Sequence, residues 1–118
     1  MKRRYLMKFA IPVNGGIVSE HFGHCEQFAL IDVDEASKQI INKELVNSPG
    51  HQPGLLPQWL AEKGVTLVIA GGIGSRAQGL FQQYNIGVIT GTMESDPEKA
   101  VLSYLDDALE TGANICDH

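Results

Sequence analysis

The chain has 118 residues, 43% of them apolar, which is enough for one compact domain with a real core. A net charge of −5, with no basic run beyond the three residues at 2–4, excludes the positive footprint of non-specific nucleic-acid binding. No apolar stretch approaches the roughly 20 residues of a membrane span, and the basic start, Met1-Lys2-Arg3-Arg4, leads into no signal-peptide core. A cytoplasmic location with no membrane partner is therefore expected.

Residues 1–6 read as a short tail before a strand that begins near Met7. Residues 8–13 (KFAIPV) are apolar and stop at Asn14-Gly15-Gly16, strong turn chemistry. Residues 27–34 form a second apolar run with β-branched members, and residues 39–46 a third that alternates only loosely. The short polar link at 34–38 predicts a hairpin between them. Residues 47–54 (NSPGHQPG) are loop by composition. A helix is predicted over 55–63, with Pro57 tolerated in its first turn and Gly64 ending it. Residues 65–70 are an apolar run, interrupted only by Thr66, of the buried parallel-strand kind. Gly71-Gly72-Ile73-Gly74 then makes a tight turn, and Ser75 is a good N-cap for a helix to about Tyr84. Residues 86–89 are another buried strand. Asp96-Pro97-Glu98 opens a last helix, with Val101, Leu102, Leu105, Ala108 and Leu109 on its apolar face and Gly112 as its stop. Residues 113–118 form a tail.

The order is β-β-β-α-β-α-β-α. The antiparallel first half and the βα units of the second half fit one mixed sheet with helices on its faces. One α/β domain over residues 7–112 is expected.

All four histidines and both cysteines fall in predicted loops or in the tail: His21, His24, Cys25, His51, Cys116 and His118. Loops held by a rigid sheet are where binding groups concentrate. In a reducing cytoplasm the two cysteines would not be a structural disulfide. Thiolate and neutral imidazole suit zinc, copper(I) or iron-sulfur species rather than magnesium or calcium. Gly23 would let the chain bend sharply between His21 and His24. The spacing is no zinc-finger pattern, and a plainer reading stays open. In that reading His21 caps a turn, His24 and His51 are solvated, and Cys25 is a small buried hydrophobe.

Gly72-Ile73-Gly74-Ser75-Arg76-Ala77 matches G-x-G-x-x-G/A between a strand and a helix. The amides at such a helix start can hold an anion, with Arg76 adding charge. Against a dinucleotide, the next strand ends without the ribose-binding acid. The other reading is a tight βα turn for which Gly71, Gly72 and Gly74 allow close packing. The carboxylates form no recognisable catalytic pair, and no nucleophile motif appears. Trp59 and Phe81 fall on helix faces and read as core.

Taken together, "MKFAIPV", "HFGHCEQFALIDVD", "HQPGLLPQWLAEKGVTLVIAGGIGSRAQGLF" and the terminal "NICDH" cover almost the whole chain. In combination they resemble the dinitrogenase iron-molybdenum cofactor biosynthesis family, in its small stand-alone form. The resemblance implies a ribonuclease-H-like motif, with a five-stranded mixed sheet flanked by about three helices. It implies no nuclease, because fold does not fix function. It implies a carrier or binder of a metal-sulfur cluster, iron-sulfur or molybdenum-containing, rather than an enzyme. Its partners would be cluster donor and acceptor proteins. His21 is the counterpart of the histidine that is a candidate cofactor contact in nitrogenase-associated relatives. Open loop ligands (His21, His24, Cys25, His51, Cys116, His118) and the glycines Gly23, Gly71, Gly72 and Gly74 suit loose holding better than a closed cage of four cysteines does. Zinc is the alternative metal. Two rival functions are an anion- or nucleotide-binding regulatory domain built on residues 71–77 and a non-catalytic partner-binding domain. A homodimer is compatible with the sequence, although no residue pattern calls for one.

Overall fold

The structure, a computed structural model, describes residues 6–22, 25–50, 54–106, 109 and 112, with Leu6 described by its backbone only. The elements in chain order are β1 (Leu6–Asn14), β2 (Ile17–Val18), β3 (Gln27–Asp34), β4 (Gln39–Asn47), α1 (Leu55–Glu62), β5 (Leu67–Ile69), α2 (Ser75–Gln83), β6 (Gly87–Ile89) and α3 (Pro97–Leu105). They form one mixed sheet in the order β4-β3-β1-β5-β6, with β2 an additional short strand paired to β1. The expected mixed α/β architecture with three helices is present. No helix among the described residues is long and apolar enough to cross a membrane.

β1 is central. It runs antiparallel to β3 and parallel to β5, and β5 runs parallel to β6. Its residues 9–13 are buried, as a strand covered on both faces should be. Ala10, Phe28, Leu30 and Val68 face α1 and α2, packing with Leu60 and Phe81. Phe9, Ile11, Ile31, Val33 and Ile69 face α3, packing with Ala100 and Val101. Phe81 is fully buried and Trp59 lies against the same cluster, in ring contact with Phe28 at 5.6 Å.

Pro12 in a central strand needs a reason, because proline cannot donate to a ladder. Its carbonyl accepts from Ser19 N–H at 2.7 Å, so its missing N–H lies on the same side of β1, toward β5. There the parallel ladder has already ended, its last pair being Ala10 with Val68. The sheet therefore opens between β1 and β5 just above Pro12.

Several expectations are corrected. β2, which sequence pattern did not predict, forms because Gly15 and Gly16 both take positive φ, 60° and 82°. That conformation turns β1 back on itself with Val13 opposite Val18, as two-residue hairpins prefer. The N-cap of α2 is Gly74 rather than Ser75, and no side chain caps that helix. α3 ends at Leu105, with Asp106 as its C-cap, well before Gly112. The loose alternation of β4 has a cause: the register shifts between Asp32 and Val33, and Ile41 falls between the paired residues Ile40 and Asn42. This bulge, with Lys43 and Glu44 outside, blunts an edge strand that would otherwise offer open backbone.

Candidate functional site at the carboxyl end of the sheet

Strand directions gather the loops. β1, β5 and β6 all finish at one end, and β3 begins there because Gln27 pairs with Val13. Asn47, the end of β4, pairs with Gln27. The loops that follow β1, β4, β5 and β6 therefore share one end, the usual ligand end of open α/β sheets. Ser48 N–H donates to Glu26 O at 3.0 Å, which ties the second loop to the first.

The segment 19–26 is braced at both ends by one side chain. Asn14 Oδ1 accepts from Glu26 N–H at 2.7 Å, and Asn14 Nδ2 donates to Ser19 Oγ at 3.2 Å. Ser19 is 5% exposed, and its hydroxyl donates to His21 O at 2.9 Å while accepting from His21 N–H at 3.3 Å. The backbone at His21 is thus fixed, while its imidazole belongs to an exposed residue. It lines an open hollow of about 380 Å³ with Asn14, Ile17, Val18, Ser19 and Glu20. A fixed backbone carrying an exposed imidazole is suited to binding a ligand from solvent.

Cys25 sits differently. It is 4% exposed and packs in the core with Phe22 and Phe28. Burial pushes its thiol up to about 11, against a weaker lowering by a backbone hydrogen bond. Its packing is that of a small hydrophobe. Gly23, His24, His51, Cys116 and His118 lie outside the described residues. Among the described residues no three His, Cys, Asp or Glu groups come close enough to hold a metal ion. His21 fits a metal-bearing ligand by exposure and chemistry. Cys25 would fit one only if the core around it opened.

The glycine loop lies directly against this segment. Phe22 N–H donates to Gly72 O at 2.9 Å. A Cβ on Gly71 would stand 3.2 Å from Glu20 Cα and 3.3 Å from Ser19 O. The close approach that Gly71 permits is therefore to the backbone carrying His21. Gly74 has open space around it. Arg76 is exposed on α2, beside a second open hollow with Gly79 and Gln83.

Sequence reasoning missed Asn14, Ser19 and Gly91. Asn14 and Gly15 were legible as a turn, but a side chain bridging residues 19 and 26 requires the hairpin that β2 makes. Gly91 matters because its N–H donates to Gly71 O at 2.8 Å and its carbonyl accepts from Gly112 N–H at 2.6 Å.

Residues 6–107 match the family described as dinitrogenase iron-molybdenum cofactor. An uncharacterized protein of Methanocaldococcus jannaschii is 32% identical over 110 residues, covering 89% of this chain and 91% of its own. The crystal structure of PH0822 superposes with a TM-score of 0.83 at 28% identity, covering 92% of this chain and 96% of that one. The apo form of the orange protein from Desulfovibrio gigas shares the fold, with a TM-score of 0.72 at 24% identity over 95% of this chain and 98% of that one.

Proposed function

Because the chain belongs to the dinitrogenase iron-molybdenum cofactor family, we propose that it binds a metal-sulfur cluster as cargo and passes it between donor and acceptor proteins in metallocofactor assembly. The observation that carries this reading is the exposed His21 on a backbone fixed by Ser19 and Asn14, at the ligand end of the sheet. A carrier must release what it holds. One exposed imidazole supported by loop backbone fits that need better than a closed set of buried thiolates. Imidazole is a borderline ligand, suited to iron, copper or zinc and to an open coordination position on a cluster. The role asks for binding, orientation and release, and needs no acid-base pair.

The test is anaerobic reconstitution of the full chain with ferrous iron and sulfide, with and without molybdate, followed by metal and sulfide analysis after desalting. Retained iron with matching sulfide, lost in His21→Ala but kept in Glu20→Ala, is the expected result. Equal retention by His21→Ala removes this histidine from the mechanism. A chain that retains zinc alone would be a zinc-binding domain rather than a cluster carrier.

A further inference from the structure

Three of the six large apolar side chains that stay exposed among the described residues lie on one surface, where α3 runs beside β4. They are Ile41, Leu45 and Leu102, at 50, 47 and 40% exposure. Two ion pairs fix where they stand. Lys43 Nζ lies 2.9 Å from Glu98 Oε1, and Lys38 Nζ lies 3.8 Å from Asp106 Oδ1. α3 therefore follows β4 from the ligand end down to the β3–β4 turn. Glu98, Leu102 and Asp106 are spaced i, i+4 and i+8, which sets them in one line along the helix. Leu102 thus sits between the ion pairs, level with the stretch of β4 that holds Ile41. Lys43 pairs with Ile31 and Leu45 with Ala29, and both partners belong to the cluster packed on α3. Lys43 and Leu45 are therefore on the α3 face of the sheet.

The seam between α3 and β4 carries a charge order that matches a second copy of itself. Both cations, Lys38 and Lys43, are on the strand side, and both carboxylates, Glu98 and Asp106, are on the helix side. A two-fold axis lying along the seam sets the strand side of one copy over the helix side of the other, level by level. Lys43 then faces Glu98, Lys38 faces Asp106 and Ile41 faces Leu102 of the second copy. A two-fold across the seam would set lysine on lysine, so the charges select the first arrangement. Edge-to-edge pairing of β4, the other route to self-association, is blunted by the bulge at Ile41.

We infer that the α3–β4 seam is a self-complementary surface through which two copies of this chain associate face to face. Because the axis follows the seam, the ligand ends of both copies point the same way. The dimer therefore presents its two His21 loops on one side. The inference goes beyond the cargo reading and stands without it. A few half-exposed apolar side chains in each copy make a small contact, so the dimer is reversible and forms as concentration rises.

Sedimentation of the full chain over a concentration series tests this, with the reducing agent kept high so that no disulfide links two copies. The wild-type chain should pass from monomer to dimer. Leu102→Gln keeps a good helix former at an exposed position, and both copies carry the change. Association should weaken at least about tenfold, with the circular dichroism of the monomer unchanged. The pairing itself is tested with two charge-swapped chains, one with Lys38→Glu and Lys43→Glu, the other with Glu98→Lys and Asp106→Lys. Each loses its internal ion pairs, which at this exposure add little to stability. Each alone should stay monomeric, and the two mixed should form a heterodimer. A wild-type chain that is monomeric at every concentration overturns the inference. So does a dimer that survives Leu102→Gln and both charge swaps unweakened, which would place the contact elsewhere. Swapped chains that fold but do not associate when mixed overturn the two-fold along the seam.

Discussion

Asn14 holds Glu26 across the mouth of the histidine loop: its Oδ1 accepts from the Glu26 N–H at 2.7 Å. The same amide reaches Ser19 Oγ, so one side chain fixes both ends of the segment that carries His21 and Cys25. The brace depends on the β1–β2 hairpin, because Asn14 pairs with Ile17 at its tip. Local turn chemistry at Gly15 and Gly16 thereby becomes site geometry.

Asn14→Ala should therefore loosen the loop without unfolding the sheet. Two hydrogen bonds are lost, each with a net worth of about 1 kcal/mol. Amide exchange at His21 and Glu26 should speed up, while that of the β3 amides stays slow. Metal or cluster retention should fall several-fold. Unchanged exchange at Glu26 would show that Asn14 is not the brace.

The two glycines Gly71 and Gly74, at either end of the glycine loop, should behave in opposite ways. Gly71→Ala presses a methyl against the Ser19–Glu20 backbone at 3.2–3.3 Å, so the loop must shift, with an overpacking loss of about 1 kcal/mol or more. Gly74→Ser meets open space at an uncapped N-cap and should be neutral or stabilising by a few tenths of a kcal/mol. Thermal melts of the pair decide this, and amide shifts at Ser19 and Glu20 should move only in Gly71→Ala. Equal effects at both positions would mean that the glycine loop does not support the histidine loop.

Much of the fold was legible because its signals are local. The buried runs at Val68 and Ile31, the Asp96-Pro97 helix start and Gly64 after α1 each act within a few residues, and the structure carries all of them. What was not legible depends on partners far along the chain. Ile41 looks like a strand residue until the β4 register is known. The Gly91 contact needs a segment that returns after α3 has carried the chain to the other end of the sheet. At the site, residue type marked His21 and Cys25 alike, but only burial separates them. Phe22 and Phe28, three residues away on either side, were the available hint that Cys25 joins the core.

The cap of α3 gives a prediction about stability alone. Asp96 accepts from Glu98 N–H at 2.9 Å and from Lys99 N–H at 3.4 Å. Asp96→Ala should cost about 1 kcal/mol, a lowering of about 4 °C or more in melting temperature for a domain of this size. Asp96→Asn should recover most of it, since the amide oxygen can accept the same bonds. Both variants should bind metal as the wild-type chain does, because α3 supports the sheet from the face opposite α1 and α2.

The buried thiol sets an alkaline limit. Burial raises Cys25 from an ordinary 9.0 to about 11, so the folded state keeps a proton that the unfolded state releases first. Below pH 9 both states hold the proton, and the contribution of Cys25 to stability is fully present. Between pH 9 and about 11 the unfolded chain ionises while the folded one does not, so stability falls as pH rises, and the loss levels off above the folded value. A melting-temperature series from pH 8 to pH 11 should show this decline, and Cys25→Ala should remove the part that Cys25 contributes. At pH 8 the folded chain carries roughly a hundredfold less Cys25 thiolate than a free cysteine would. In Cys116→Ala, where Cys25 is the remaining thiol, alkylation should therefore be slow until the protein unfolds. Fast alkylation of folded Cys116→Ala at neutral pH would mean that Cys25 reaches solvent, and that it belongs beside His21 among the ligands.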